Sequence, residues 1–275
     1  MKRRLGRRYR FNALAGAILV LLTLLTALVG MVYTPYDPLA IDLDGRLQLP
    51  CWQHWMGTDQ FGRDIFSRLL AAAVVSVSVS LSATLLAISG GTLIGALIGY
   101  LGGGWDRLGM MVLDALMALP AILLAMGIMV AVGPSKTGMI LALGLAFTPS
   151  VARVVRGAVL SIKQREYIEA SRALGNTHLF TIARHVVPNC ITPLTVIGTA
   201  LFAFALLAES ALSFLGLGVP PPYPTWGGML SDARQYVALA PWLGIFPGLA
   251  ISLALLGINL SGDALRDRLD PRVQV

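Results

Sequence analysis

Charge is what this sequence holds least of. Asp, Glu, Lys and Arg supply 13% of its 275 residues, against roughly 25% in a soluble domain. With 56% hydrophobic residues and several long uncharged runs, that excludes an ordinary soluble fold and puts the chain in a bilayer. Cysteine is nearly absent. Cys51 and Cys190 stand far apart and fall on opposite sides of the membrane in the topology below, so no disulfide is expected. The histidines, His54, His178 and His185, are scattered with no Cys/His cluster beside them, so no metal site is expected. A G-x-x-x-x-G-K-[ST] loop is missing. Gly133-Pro134-Ser135-Lys136-Thr137 has the wrong spacing for one, so this chain lacks the phosphate cradle needed to hydrolyse ATP. G-x-S-x-G and H-E-x-x-H are missing too. The apolar runs do not alternate in ten-residue segments, which excludes a β-barrel. The net charge of +7 would suggest nucleic acid in a soluble protein. Here the basic residues sit between apolar runs, as the positive-inside bias requires, and no nucleic-acid partner is expected.

What the sequence does hold is six apolar runs, at about 11–32, within Ala71–Leu101, and at about 108–132, 137–153, 191–217 and 240–261. Each is expected to be a transmembrane helix, because a span in lipid must satisfy its own backbone. The first follows MKRRLGRRYR, and its uncharged stretch from Phe11 to Val32 is longer than a signal-peptide core. It reads as a retained span. The second is long enough to tilt. The third contains Asp114, the short fourth contains Pro149 and the fifth contains Glu209. With the N-terminus inside, Lys2, Arg3, Arg4, Arg7, Arg8, Arg10, Arg107, Arg153, Arg156, Lys163, Arg165, Arg172, Arg184, Arg266, Arg268 and Arg272 share one side. Arg46, Arg63, Arg68, Lys136 and Arg234 take the other. The crowded side is cytoplasmic, and six spans place both termini there. The expected organisation is a cytoplasmic N-terminus at 1–10, a first helix at 11–32 and an extracytoplasmic segment at 33–70. A five-helix core at 71–262 contains a cytoplasmic loop at 153–190, and a cytoplasmic tail follows at 263–275.

Segment 33–70 is rich in turn signals such as Thr34-Pro35, Asp37-Pro38 and Asp44-Gly45. Asp59 or Asp64 is expected to cap a short helix leading into the second run. Asp59, Arg63, Asp64 and Arg68 are spaced to pair on that helix, in solvent. Gly91, Gly95 and Gly99 line one helix face and should admit a close neighbour. Ser76, Ser78, Ser80, Ser82, Thr84 and Ser89 are expected mostly to bond carbonyls one turn back. An intramembrane carboxylate is costly and faces protein or water. Asp114 is within reach of the interface. Glu209 lies deep, and two readings stand: it lines a translocation path, or it bonds a neighbouring helix. In the outer loop 218–239, Pro220, Pro221, Pro222 and Pro224 enforce an extended path. Trp226 and Tyr236 suit the membrane boundary, and the loop serves either a docking partner or as a cap.

The polar stretch Tyr167–Asn189 breaks the apolar pattern. Ile162, Tyr167, Ala170, Ala173 and Leu174 form an apolar stripe, with Lys163, Arg165, Glu166, Glu169 and Arg172 off it. Gly175 suits a left-handed cap. Asn176 or Thr177 can cap a second helix bearing Leu179, Phe180, Ile182 and Ala183, and Pro188 is expected to stop it. The result is a helix–turn–helix on the cytoplasmic side, either an ordinary connector or a place where a soluble partner engages.

The same residues resemble a known family. Glu169-Ala170-Ser171, three residues, Gly175, nine residues and His185-Val186-Val187-Pro188 are similar to the EAA loop of ABC importer permeases, with Ser171 in place of the third alanine. GTDQFGRDIFSRL at 57–69, LGGGWDRLGMMVLDALMALP at 101–120, SALSFLGLGVPPPYPTWGGML at 210–230 and NLSGDALRDRLDP at 259–271 resemble the second permease subunit of dipeptide, oligopeptide and nickel importers. The resemblance implies an all-α, polytopic bundle of six transmembrane helices of the type I importer kind, in the bacterial cytoplasmic membrane. Glu169, Ala170, Ser171, Gly175, His185 and Pro188 would belong to the loop that docks on an ATPase. The implied partners are a homologous permease subunit, two ATP-binding subunits and an extracytoplasmic solute-binding protein. No cofactor would be bound by this chain, with ATP used by its partners. The cargo would be a di- or oligopeptide, or alternatively nickel, another metal complex or a small solute. A channel or a membrane enzyme is the remaining class.

Overall fold

A chain with so little charge satisfies its backbone in lipid by forming helices. The computed structural model describes residues 2–269, with side chains for residues 12–268. The side chains of the basic N-terminal cluster Lys2–Arg10, and the tail 270–275 with Arg272, lie outside the described residues. The helices are α1 (Lys2–Val32), α2 (Ile65–Leu101), α3 (Gly103–Met117), α4 (Ala121–Val132), α5 (Lys136–Ile162), α6 (Glu166–Ala173), α7 (His178–Thr181), α8 (Ile191–Phe214), α9 (Trp226–Ala233) and α10 (Trp242–Leu269).

Five helical runs are long and apolar enough to cross a membrane, and α3 with α4 forms a sixth only as a pair bent by 87°. The expected straight helix over 108–132 is thus broken. Pro120 takes an extended backbone at ψ 131°, and without an N–H it cannot continue α3. The pair still makes the return crossing. Gly91 lies against Val151, Gly95 against Ala152 and Val155, and Gly99 against Val159, so α2 and α5 run parallel. A chain leaving α2 at Leu101 must therefore travel back before α5 begins. Other bounds also move. α2 already starts at Ile65, and α5 passes Pro149 and continues to Ile162. The Thr148 hydroxyl bonds back to Gly144 O at 2.8 Å beside that proline.

The glycine face works by close approach. A Cβ on Gly95 would stand 2.3 Å from Ala152 O, and one on Gly91 would stand 2.5 Å from Val151 Cβ. The serine ladder largely turns inward on its own helix: Ser80 bonds Ser76 O at 2.7 Å and Thr84 bonds Ser80 O at 2.8 Å. α1 lies antiparallel to α10, with Gly16 against Ser261 and Gly257 against Leu19. The opposite side of α1 exposes Leu14, Ile18, Leu21 and Leu28, as a lipid-facing helix should.

At the N-terminal end of α2 the expected solvated helix does not form. Asp64 caps α2 directly, accepting from Ser67 N at 2.7 Å. Asp59 sits in the preceding loop, accepts from Phe61 N and Arg63 N at 2.8 and 3.0 Å, and pairs with Arg63 at 2.7 Å and Arg68 at 3.4 Å. Both Asp59 and Arg68 are buried, because the outer loop closes over them through Asp232, 3.6 Å from Arg68. Trp226 turns into the protein instead of meeting lipid. It is 2% exposed, and its indole N–H donates to Leu69 O at 3.2 Å. Gly95→Leu is expected to destabilise the bundle by at least about 3 kcal/mol, because backbone cannot yield to the new side chain. Gly127→Ala, with nothing within 4 Å, should hold or slightly raise the thermal midpoint of the purified chain in detergent, since alanine is the better helix former, and the two midpoints check this.

Candidate functional site

The connector between α5 and α8 is built by its caps. Glu166 and Glu169 occupy the first turn of α6, where the helix dipole favours acids. α6 ends in a paired turn: Gly175 N donates to Arg172 O at 2.9 Å and Asn176 N to Ser171 O at 3.3 Å. Gly175 has φ +77°, as the left-handed position demands. The Thr177 hydroxyl accepts from Phe180 N at 3.2 Å and caps α7. Pro188 does not stop the second helix as expected. A π turn, Ile182–Val186, and a 3-10 turn, Val187–Cys190, carry the chain straight into α8. Widening the turn before a proline removes the clash between its ring and the carbonyl four residues back.

The buried face also differs from the expected stripe. Ile168, Ser171, Thr181, Ile182 and Val186 are buried. The apolar members of this face pack with Tyr100, Val155 and Val159 at the ends of α2 and α5. Ser171 Oγ lies 3.1 Å from Thr181 Oγ1 and accepts from Asn176 Nδ2 at 3.2 Å, so it clasps α6 to α7. Glu169, Ala170, Gly175 and Pro188 face outward, exposed. His185 is half-buried, its ring 6.4 Å from Tyr167 and 6.0 Å from Phe180. Leu174 is 81% exposed and Leu179 71%, with Phe180 and Tyr167 also open. Sequence periodicity locates a stripe but not the body that it faces. Thr181 and Tyr100 were not singled out from the sequence. A turn brings Ser171 and Thr181 together at a spacing that no helix face shares, so no periodic signal marks them.

Polar contacts seat the connector on the bundle. Lys163 Nζ donates to Gly99 O at 3.1 Å, and Arg172 Nε to the Tyr100 hydroxyl at 3.2 Å. Nearby, Arg156 forks onto Asp106 at 2.6 and 2.7 Å, and Arg153 pairs with Asp114, joining α5 to α3. Glu209 lies elsewhere, unexposed. Its carboxylate accepts from Ser213 Oγ at 2.9 Å and Ser210 Oγ at 3.4 Å, with Ser76 of α2 beside it. Ser76 also accepts from Trp226 N at 3.2 Å, so the carboxylate sits where α2, α8 and α9 meet. Among the described residues, no group of three His, Cys, Asp or Glu is placed to hold a metal ion.

Comparison with known proteins gives this geometry its class. Residues 91–275 match the family of binding-protein-dependent transport system inner membrane components. The chain is 44% identical to a peptide transport system permease protein of Brucella suis, over 99% of this chain and 91% of that one. It is 40% identical to a dipeptide transport system permease of Alkalihalophilus pseudofirmus, over 95% and 86%. With a glutathione transport system permease of Escherichia coli the identity is 39%, over 98% and 89%. The inward-facing MetNI methionine ABC transporter shares its fold, with a TM-score of 0.59 and 18% identity, over 74% of this chain and 96% of that one. The chain belongs to the binding-protein-dependent transport system inner membrane component family. It is an inner-membrane permease, and its role is transport.

Ser171→Val should strip Thr181 and Asn176 of their shared partner at a cost of about 1–3 kcal/mol. The expected readout is faster backbone hydrogen exchange across 168–182, with protection in α2 and α5 unchanged.

Proposed function

We propose that this chain is one of two homologous permease subunits of an ATP-driven importer of short peptides. The observation that carries this reading is the outward apolar face of the connector: Leu174, Leu179 and Phe180 stand exposed on a clasped helix pair, in a chain with no phosphate-binding loop of its own. Exposed apolar side chains on an otherwise polar knob mark an interaction surface, and ATP-binding subunits are the partner that an ATP-driven permease requires. Glu169, Ala170 and Gly175 belong to the contact, where small residues allow close docking. His185 shapes its aromatic rim, Pro188 joins it to α8, and Ser171 holds it rigid from inside. ATP is bound by the partners and no cofactor by this chain.

Orientation follows from charge. Arg107, Arg153, Arg156, Lys163, Arg165, Arg172, Arg184 and Arg266 stand in the connector half of the bundle, against Arg46, Arg63, Arg68, Lys136 and Arg234 in the other. The connector and both termini therefore face the cytoplasm, and the cavity of about 500 Å³ between Arg68, Pro220 and Asp232 faces outward, toward a solute-binding protein. Closure of the ATPases on ATP moves the connector, the bundle opens outward to take cargo, and hydrolysis resets it. Glu209 fixes the junction of α2 and α8 beside that route. The peptide, dipeptide and glutathione permeases among the relatives support short peptides as the cargo class.

Leu174→Asp with Leu179→Asp should leave the chain in the membrane. Losing about 1.5–3 kcal/mol per buried leucine weakens docking by roughly 10- to 100-fold for each. ATPase recovered with the tagged chain reports this, and recovery at the wild-type level refutes the docking role. Uptake of labelled dipeptide, set against uptake of nickel, in a strain lacking the chain tests the cargo. Loss of nickel uptake alone in that strain would overturn the peptide assignment.

A further inference from the structure

The connector reaches three helices of the bundle by different means. It is chain-continuous with α5 at Lys163 and with α8 through Cys190. α2 has no covalent link to it. The two meet at the C-terminal end of α2, where Lys163 Nζ donates to Gly99 O and the Tyr100 side chain meets α6 and α7. Tyr100 is 3% exposed and receives both connector helices. From α6, Arg172 Nε donates to its hydroxyl at 3.2 Å, and the guanidinium carbon stands 4.9 Å from the ring centre. From α7, the His178 ring meets it edge-on at 5.7 Å. The Ser171–Thr181 clasp makes α6 and α7 one body, so both contacts move together.

α2 is also long enough to carry a displacement across the membrane. Its 37 residues extend about 55 Å at 1.5 Å per residue. At the far end, Ser76 holds Trp226 N, and Arg68 pairs with Asp59 and Asp232. These contacts join α2 to the outer loop and to the segment that precedes it. A tilt imposed at Tyr100 re-aims that whole outer cap.

We propose that Tyr100 is the joint through which the connector drives α2, so that ATP-powered motion reaches the outer end of the bundle along α2 as well as through α5 and α8. The proposal rests on the docking reading given above. Without the ring, α5 and α8 still follow the connector because they are bonded to it. The ATPases still dock on Leu174 and Leu179 and still turn over. α2 is then led by its glycine seam with α5 without the direct pull of α6 and α7, and less of each hydrolysis cycle reaches the outer cap. Tyr100 is thus a positioning residue that touches neither ATP nor cargo.

The test uses the full complex of permease subunits and ATPases in proteoliposomes, with binding protein loaded with a labelled dipeptide. Uptake and phosphate release are measured together. Tyr100→Ala is expected to hold hydrolysis within about twofold of wild type while uptake per ATP falls by about tenfold or more, within the usual range of coupling between sites. Tyr100→Phe keeps the ring and loses one hydrogen bond, and should stay within about fivefold of the wild-type ratio. Arg172→Gln with His178→Ala, both surface side chains, should shift the ratio in the same direction as Tyr100→Ala. A wild-type ratio in Tyr100→Ala overturns the proposal, as does a parallel fall of hydrolysis and uptake. If Tyr100→Ala fails to assemble, the double variant decides, and a wild-type ratio there overturns it. Docking is scored separately, by ATPase recovered with Leu174→Asp. Full recovery there sinks the docking reading, whereas lost recovery beside an unshifted ratio in Tyr100→Ala sinks only the joint.

Discussion

The seam between α2 and α5 is the contact on which the other helices depend. Gly91, Gly95 and Gly99 bring the two backbones together against Val151, Ala152, Val155 and Val159. Lipid offers no hydrophobic gain to associating helices, so close packing of small residues is what holds them. Because the pair is parallel, the chain between them must recross the membrane, and the bent pair α3–α4 does so. Because the pair ends together at Tyr100 and Ile162, it forms a seat on which Ile168, Ile182 and Val186 rest. The same helix α2, at its other end, holds the Asp64 cap and the Arg68 ion pairs.

Polar groups inside this bundle are handled locally. Hydroxyls of Ser80, Thr84 and Thr148 bond carbonyls one turn back, which removes them from competition for cross-helix partners. Glu209 is held by the Ser210 and Ser213 hydroxyls of its own helix, against the side of α2 that carries Ser76. Asp59 does the equivalent at the outer end with guanidinium groups and backbone N–H groups. Prolines within helices are absorbed in two ways. Pro149 is passed without interrupting α5, and Pro188 is met by a change of helical pitch. The second solution keeps the connector mechanically continuous with α8, so a push on α7 is passed along the chain itself.

The connector has two unlike faces. Its inner face is part of the bundle core. Its outer face carries large apolar side chains that the bundle leaves uncovered, which in an isolated chain is costly exposure and in a complex is a contact. The Ser171–Thr181 bond lies between the faces and converts two short helices, neither stable alone, into one rigid element. The proposed docking on an ATPase would use such an element: stiff, partly apolar outward and anchored to more than one helix inward.

Composition and period alone determined that this is an all-α membrane protein, that Gly91, Gly95 and Gly99 form a packing face, that Gly175 ends a helix and Thr177 can start one, and that the basic residues divide unequally between two sides. Those properties follow from local chemistry: transfer free energy, backbone reach, and which residues tolerate positive φ. What the sequence left open required distant residues to meet. Whether Tyr167, Leu174 and Phe180 face in or out depends on Tyr100 and Val159 already filling the seat. Asp59 and Arg68 read as solvated until Asp232 and the outer loop close over them. The break at Pro120 and the passage through Pro188 both begin from a proline that lacks its N–H; an extended backbone at the first made a bend, and a π turn followed by a 3-10 turn at the second kept the helix continuous.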